Sequence, residues 1–187
     1  TRTPSAWIVV KFGGTSVSSL PNWKNIAKVA TARRATGARV LIVHSAISGI
    51  TDRLEKLLDA AMGEAQNEEL RLIEERHRRL ATELGIELGA DVEQHLAELR
   101  QIAAGVALVG EVSDRTRARV MSTGEIMATE IGARFLRSQG LEVDWADART
   151  MLKAEDRRSA SAKASVLSAT CNFAPDAQLE ERLAKMA

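Results

Sequence analysis

A group of residues with phosphate-binding chemistry follows the first apolar run of the chain. The group consists of Lys11, Gly13, Gly14, Thr15 and Ser16. Glycine has no side chain to keep a ligand away, and bare N–H groups at a strand-to-helix turn attract anions. A nearby lysine adds a positive charge. These residue types favour a phosphate-binding loop, and the alternative is an ordinary turn that needs glycine for its geometry. The spacing fits neither a Walker loop nor a G-x-G-x-x-G turn.

Three hydroxyl side chains follow the next apolar run, which spans residues 40–43. They are Ser45, Ser48 and Thr51. Each could donate a hydrogen bond to a ligand; alternatively, Ser48 or Thr51 could cap the helix that follows. His44 ends the same run, and we interpret it as a structural residue rather than a general base.

A third candidate is Glu125, a carboxylate inside a long helical pattern that spans residues 113–138. Its neighbours are apolar, and a carboxylate in such surroundings is paired or functional unless it lies on a solvated face. The preceding residue, Gly124, costs a helix about 1 kcal/mol relative to alanine. A glycine at this place indicates close packing or a bound ligand.

Two predicted strands must position the first two groups. The β-branched residues 8–10 predict a buried strand, and the apolar run 40–43 is typical of a parallel strand covered on both faces. Helical patterns begin at about Asn22 and at about Ile50. Because ligands bind at the carboxyl ends of strands in open α/β sheets, we expect the two loops to share one crevice.

The middle of the chain carries two apolar stripes, within residues 70–84 and 92–106. They predict two antiparallel helices that form a lid-like or dimer-facing subdomain. Asp91 and Gln94 have the spacing of a capping box at the start of the second helix. The charged run 68–79 is interpreted as a solvated face.

The last part of the chain predicts smaller elements. Strands are predicted around residues 141–145 and over 166–173, and a final helix over 176–186 with Pro175 in its first turn.

Composition excludes several classes of protein. Charged residues make up 27% and nearly cancel to a net charge of +1, which argues against a general nucleic-acid binder. Aromatic residues are 3%, and no apolar run reaches membrane-spanning length. The single cysteine, Cys171, excludes an internal disulfide and suits a reducing cytoplasm. No cluster of thiols or carboxylates predicts a metal site.

Three segments resemble the aspartate kinases of the amino-acid kinase superfamily. Residues 11–17, KFGGTSV, resemble their N-terminal signature, which related amino-acid kinases usually lack. Residues 45–52 resemble the element S-A-x-x-G-I-T-[ND], and residues 122–125 resemble S-x-G-E. Asp52 stands where many members have asparagine. The resemblance implies an α/β fold, a three-layer αβα amino-acid kinase (carbamate kinase-like) fold with a mainly parallel sheet, here incomplete.

The resemblance implies ATP-dependent phosphorylation of the L-aspartate β-carboxylate to 4-phospho-L-aspartate, with Mg²⁺ on the ATP. Lys11 would be the catalytic residue that stabilises the transferring phosphoryl group. The ATP phosphates would lie against the glycine loop, that is, Lys11, Gly13, Gly14, Thr15 and Ser16. Ser45 and Thr51 would line the aspartate pocket, and Glu125 would hold the α-amino group.

Residues 147–149 also resemble a D-x-R element of these kinases, near the loops that cover the site. Arg149 could serve there, or it could form a local ion pair with Asp147 or Asp144. Both alternatives remain open from the sequence.

Later family elements, G-R-G-G-S-D and T-D-V-x-G-[IV]-Y-T, do not occur in this sequence. We therefore expect residues 1–187 to be the N-terminal, substrate-binding part of a catalytic domain, with a helical insertion at about 64–110. The nucleotide-binding part and the ACT domains would belong to a longer, homo-oligomeric protein, which could be fused to homoserine dehydrogenase or diaminopimelate decarboxylase. Alone, this part is expected to be inactive. The alternatives are a non-catalytic binding or structural half-domain, or another amino-acid kinase.

Overall fold

The computed structural model describes residues 7–60, 65–152 and 174–186. The elements in these ranges are β1 (Trp7–Phe12), a 3₁₀ turn (Gly14–Val17), α1 (Leu20–Ala35), β2 (Arg39–His44), α2 (Ile50–Ala60), α3 (Gln66–Leu84), α4 (Ala90–Val109), α5 (Asp114–Ser138), α6 (Ala148–Met151) and α7 (Ala177–Ala184). The predicted strand 166–173 and Cys171 lie outside the described residues.

The strands β1 and β2 are parallel and in register from the pair Trp7–Arg39 to the pair Phe12–His44. They therefore end at the same level of the sheet. One face packs on the hydrophobic core, while the other leaves Val9 63% and Val43 44% exposed. The prediction that the second strand is covered on both faces is thus not met within the described residues, because the face that carries Val9 and Val43 is partly exposed.

Four helices, α2 to α5, pack around a common core, and the predicted apolar stripes of α3 and α4 are buried in it. Ion pairs between the two helices join Arg78 to Glu93 and Arg100 to Glu74. Because the partner numbers fall on one helix as they rise on the other, α3 and α4 are antiparallel, as predicted.

Helix starts differ from the predictions by one or two residues. Helix α1 begins at Leu20 rather than Asn22, since Pro21 fits the first turn. Helix α4 begins at Ala90 after Gly89 as N-cap residue, so the predicted capping box at Asp91 is wrong. The carboxylate of Asp91 pairs instead with Arg134 at 3.1 Å.

Residues 141–147 are irregular, so the strand that is predicted around residues 141–145 is not formed. A strand needs a neighbouring backbone to pair with, whereas here a side chain of α5 binds the Val143 carbonyl. The Arg137 Nε donates to the Val143 carbonyl at 2.9 Å, and the Trp145 indole donates to Thr129 at 2.9 Å. At the end of the chain Asp176 caps α7, so Pro175 precedes that helix rather than starting it.

Candidate functional site

The glycine loop after β1 and the hydroxyl-rich loop after β2 leave the sheet side by side. The Ser45 amide donates to the Phe12 carbonyl at 3.2 Å, which extends the pairing of the strands by one residue. The two loops therefore start at one edge of the sheet. This arrangement makes the two loops neighbours, whereas the crevice that we expect them to share stays a prediction.

Gly14 lies directly against the second loop. A β-carbon at this residue would stand 2.8 Å from the Ala46 carbonyl oxygen and 3.3 Å from the Ser48 amide nitrogen. Gly14 is therefore required for the close approach of the two backbones. Gly13 has no such neighbour within 4 Å, and its φ of −80° is open to any residue. Close packing therefore explains why residue 14 is a glycine, whereas no close contact requires a glycine at residue 13.

Ser18, at the end of the glycine loop, joins the surrounding elements. Its hydroxyl donates to the Gly14 carbonyl at 2.5 Å and accepts from the Ser48 amide at 3.0 Å. Its carbonyl accepts a hydrogen bond from Arg76 of α3 at 2.8 Å. The sequence interpretation missed both Ser18 and Arg76, because one serine among several and one arginine in a charged run carry no distinguishing pattern.

Helix α1 holds the rest of the glycine loop. The Asn22 side chain donates to the Thr15 carbonyl at 2.8 Å. The indole of the buried Trp23 donates to the Val17 carbonyl at 3.0 Å. Both bonds use carbonyl groups of the loop, so they leave the amides of Gly13 and Gly14 to other partners.

Gly124 brings α5 onto the second loop. A β-carbon there would lie 2.9 Å from the Leu54 Cδ1, 3.0 Å from the Ile50 Cγ2 and 3.3 Å from the Ala46 Cβ. The sequence indicated close packing or a bound ligand at Gly124, and the structure shows close packing of α5 on the second loop and α2. Glu125 follows it with an exposed side chain, so the carboxylate lies on a solvated face beside the two loops rather than among its apolar neighbours.

The polar side chains of the candidate residues are not engaged with one another. Among the described residues, no hydrogen bond or ion pair involves Lys11, Glu125 or the hydroxyls of Thr15, Ser16, Ser45 and Thr51. The alternative of helix capping by Ser48 or Thr51 is wrong, because α2 begins at Ile50 and the residue before it is Gly49. Thr51 already lies inside α2, and in the described part of the chain no helix amide donates to the Ser48 hydroxyl.

His44 lies behind the second loop. It is buried, its ring meets that of Trp23 edge-on at 5.4 Å, and its Nδ1 is 2.9 Å from the Ser45 carbonyl oxygen. Burial lowers the pKa of His44, although the backbone hydrogen bond opposes the shift. The packing supports the structural interpretation of this residue.

Arg149 forms the local ion pair. Its guanidinium contacts both carboxylate oxygens of Asp147, the shortest distance being 2.6 Å, and it holds the pKa of Asp147 below its usual value. Its third nitrogen, Nη1, lies 3.4 Å from the Ser122 hydroxyl on α5, in the turn before Glu125. The ion pair is therefore present, and it lies within reach of the helix that carries Glu125.

A cavity of about 160 Å³ lies away from the glycine loop, between β2, α5 and residues 141–146. All three tryptophans of the chain contribute to its walls. It contains no candidate residue, because those residues follow the strands and the cavity lies along β2.

The described ranges contain no group of three or more histidine, cysteine, aspartate or glutamate side chains that could hold a metal ion. Within the same ranges, no helix combines the length and apolar character that crossing a membrane requires.

Comparison with known proteins relates this geometry to a family. Residues 6–175 match the amino acid kinase family. Chloroplastic aspartokinase 2 of Arabidopsis thaliana is 35% identical over 137 residues, which cover 71% of this chain and 25% of that protein. The aspartokinase of Chlamydia muridarum is 26% identical over 151 residues, 81% of this chain and 32% of that protein. The chain thus spans about a quarter to a third of the length of these relatives.

Two solved structures are also similar. Escherichia coli aspartokinase III in complex with aspartate and ADP has a TM-score of 0.69 and 27% identity, over 82% of this chain and 33% of that chain. The same enzyme with lysine and aspartate has a TM-score of 0.71 and 25% identity, over 96% of this chain and 37% of that chain. The predicted fold, an incomplete αβα amino-acid kinase fold, is confirmed by this likeness.

Proposed function

The chain belongs to the amino acid kinase family, and on this premise we propose that it is the N-terminal, substrate-binding part of an aspartate kinase. The whole protein would transfer the γ-phosphoryl group of ATP to the β-carboxylate of L-aspartate and form 4-phospho-L-aspartate. One observation carries the proposal: Gly14, Ala46 and Gly124 bring three separate segments together at one edge of the sheet. Each segment carries polar groups without partners among the described residues.

The glycine loop is proposed to bind the phosphates. Phosphoryl transfer depends on positioning and on neutralising charge more than on covalent chemistry. Lys11 stabilises the charge that develops on the transferring group. The amides of Gly13 and Gly14, with the hydroxyls of Thr15 and Ser16, donate to phosphate oxygens.

The second loop and α5 are proposed to bind the amino acid. Ser45 and Thr51 donate hydrogen bonds that orient the attacking carboxylate. Glu125 accepts from the α-ammonium group, and its exposed carboxylate suits an ionic contact that forms when substrate arrives.

Mg²⁺ is proposed to come with the nucleotide. The described residues lack a carboxylate cluster that could bind the ion alone, which fits a cation held through the oxygens of ATP. When bound, it would neutralise charge between the phosphates. A homo-oligomeric state and a cytoplasmic location also remain proposals.

The domain organisation is proposed along the same lines. Helices α3 and α4 would form a helical insertion at about residues 64–110. The nucleotide-binding part and ACT domains would be supplied by other segments of a longer protein, and the 187-residue chain alone would be inactive.

Formation of aspartyl hydroxamate in the presence of ATP, Mg²⁺ and hydroxylamine tests the proposal. The assay compares the 187 residues with the whole protein that carries them, and offers L-aspartate, L-glutamate and N-acetyl-L-glutamate as acceptors. We expect the whole protein to be active with L-aspartate and inactive with the other two acceptors. Preference for another acceptor would indicate a different amino-acid kinase, and a folded whole protein without activity would favour a non-catalytic module.

A further inference from the structure

We propose that Arg76 is a positioning residue for the phosphoryl-transfer site, which holds the glycine loop in place through Ser18. The proposal rests on the proposed function, since it assigns a role to Arg76 in the same reaction. Arg76 belongs to α3, one of the two helices of the insertion, and no candidate residue lies on that helix.

The contact of Arg76 with the loop is direct and long-range in sequence. Its Nη2 donates to the Ser18 carbonyl oxygen at 2.8 Å across a separation of 58 residues. A charged donor makes a stronger hydrogen bond than a neutral one. The contact therefore ties the insertion to the end of the glycine loop.

Ser18 passes this restraint on to both loops. Its hydroxyl binds the Gly14 carbonyl at 2.5 Å and the Ser48 amide at 3.0 Å. A displacement of Ser18 would thus move the peptide of Gly14 and the start of α2 together. The Gly14 carbonyl belongs to the peptide bond between Gly14 and Thr15, which lies inside the loop that is proposed to bind phosphate.

Arg76 differs from the arginines near it on α3. The neighbouring arginines form ion pairs with glutamates at the surface of α3 and α4. These arginines are Arg71, Arg78 and Arg79. Within the described residues Arg76 has no carboxylate within salt-bridge distance, and its Nη1 is buried without a hydrogen-bond partner. Burial lowers the pKa of Arg76, the neighbouring Arg79 adds to the effect, and the charge of Glu83 opposes it.

This environment is costly for a guanidinium, because burial removes hydration that an ion pair does not replace. A guanidinium that faced water, as those of Arg71, Arg78 and Arg79 do, would keep its hydration. Among the described residues, the guanidinium of Arg76 makes one hydrogen bond, to the Ser18 carbonyl. We therefore infer that the inward position of this side chain stabilises the glycine loop.

The experiment uses the whole protein with three variants. Arg76→Met keeps the length of the side chain and removes the charge, and Arg76→Lys keeps a cation that can donate to the Ser18 carbonyl. Arg79→Met is the matched control, because this arginine lies on the same helix, is 68% exposed and pairs loosely with Glu83 at 3.8 Å.

Two quantities are measured: steady-state hydroxamate kinetics with ATP and L-aspartate varied separately, and hydrogen exchange of peptides that cover residues 13–18. Arg76→Met is expected to lower kcat about 10-fold, since small displacements of positioning groups cost that much or more. Its KM for aspartate should stay within about 2-fold, and exchange at 13–18 should be faster. Arg76→Lys should recover most of kcat, and Arg79→Met should match the wild type.

Equal kcat and exchange in Arg76→Met and Arg79→Met would overturn the proposal. A lower melting temperature with unchanged kcat and exchange in the folded protein would overturn it too, because Arg76 would then be structural only. If Arg76→Met does not fold, Arg76→Gln, which also removes the charge, takes its place and is combined with Ser18→Ala. A joint effect smaller than the product of the two would support action through Ser18, and independent effects would contradict it.

Failure of the proposed function is recognised separately. A wild-type protein that forms no aspartyl hydroxamate would refute the kinase assignment. The exchange of residues 13–18 would still show whether Arg76 holds the loop.

Discussion

The carbonyl oxygen of Ala46 lies 2.8 Å from the point where a β-carbon on Gly14 would stand. The two residues belong to different loops, and the backbone of one loop touches that of the other at this point. Because the obstacle is backbone, it cannot turn away as a flexible side chain would.

Gly14→Ala is therefore expected to destabilise the protein by about 1–3 kcal/mol, the usual range for overpacking. Gly13→Ala is the matched control, since nothing lies within 4 Å of its β-carbon position. Chemical denaturation of both variants measures the difference. Equal free energies of unfolding would show that the loops separate without cost.

Lys11→Ala is expected to lower kcat by about 100-fold or more, as removal of a transition-state charge partner does, and to leave the KM for aspartate nearly unchanged. Steady-state hydroxamate kinetics measure both constants. Lys24→Ala, on the exposed surface of α1, serves as control. Unchanged turnover in the Lys11 variant would refute its role.

Gly124→Ala and Gly105→Ala should change stability in opposite directions. Alanine favours a helix by about 1 kcal/mol over glycine. The β-carbon position of Gly105 in α4 has no neighbour within 4 Å, so Gly105→Ala should gain most of this stability. A β-carbon on Gly124 would lie 2.9 Å from the Cδ1 of the buried Leu54. We expect a net loss of about 1 kcal/mol for Gly124→Ala. Thermal unfolding compares the two, and a stabilised Gly124 variant would contradict the tight contact of α5 with α2.

His77 should make stability depend on pH. It is fully buried, its Nδ1 lies 2.8 Å from the Ile73 carbonyl, and burial lowers its pKa to about 4. The unfolded chain binds a proton near pH 6.5 and the folded chain does not, so stability falls as the pH drops from about 6.5 to about 4. The loss reaches about 3 kcal/mol.

The matched variant His77→Leu should lose less stability over the same pH range. Denaturation of both proteins at pH 7 and at pH 5 measures the change. A slope that is the same in the variant and the wild type would mean that other groups cause it.

Helical periodicity predicted much of the fold. The buried faces of α3 and α4 follow from apolar stripes, because a helix that packs on one side needs nothing more than such a stripe. The helical pattern over residues 113–138 predicted α5. The segment 141–145 shows where this reasoning fails. A strand also depends on a neighbour that binds its backbone, and the residues of one segment do not reveal whether a neighbour is there.

The site was predictable in part for similar reasons. The meeting of the two loops follows from parallel strands that end together. Gly124 indicated close packing, but the sequence does not say that Ala46 is the neighbour. The contact of Arg76 with Ser18 had no signal, since an arginine that turns inward from a charged run looks the same in sequence as one that faces water.

The packing of Gly124 onto Ala46 also sets an order of events during synthesis on the ribosome. The β1–α1–β2 unit emerges first, and its two loops can come together early. Helix α5 emerges much later, and it supplies both the neighbour of Ala46 and Phe135, against which Trp23 packs. Until then Trp23 lacks its contact with Phe135 and the start of α2 lacks its contact with Gly124, so the nascent chain presents apolar surface that the complete fold buries.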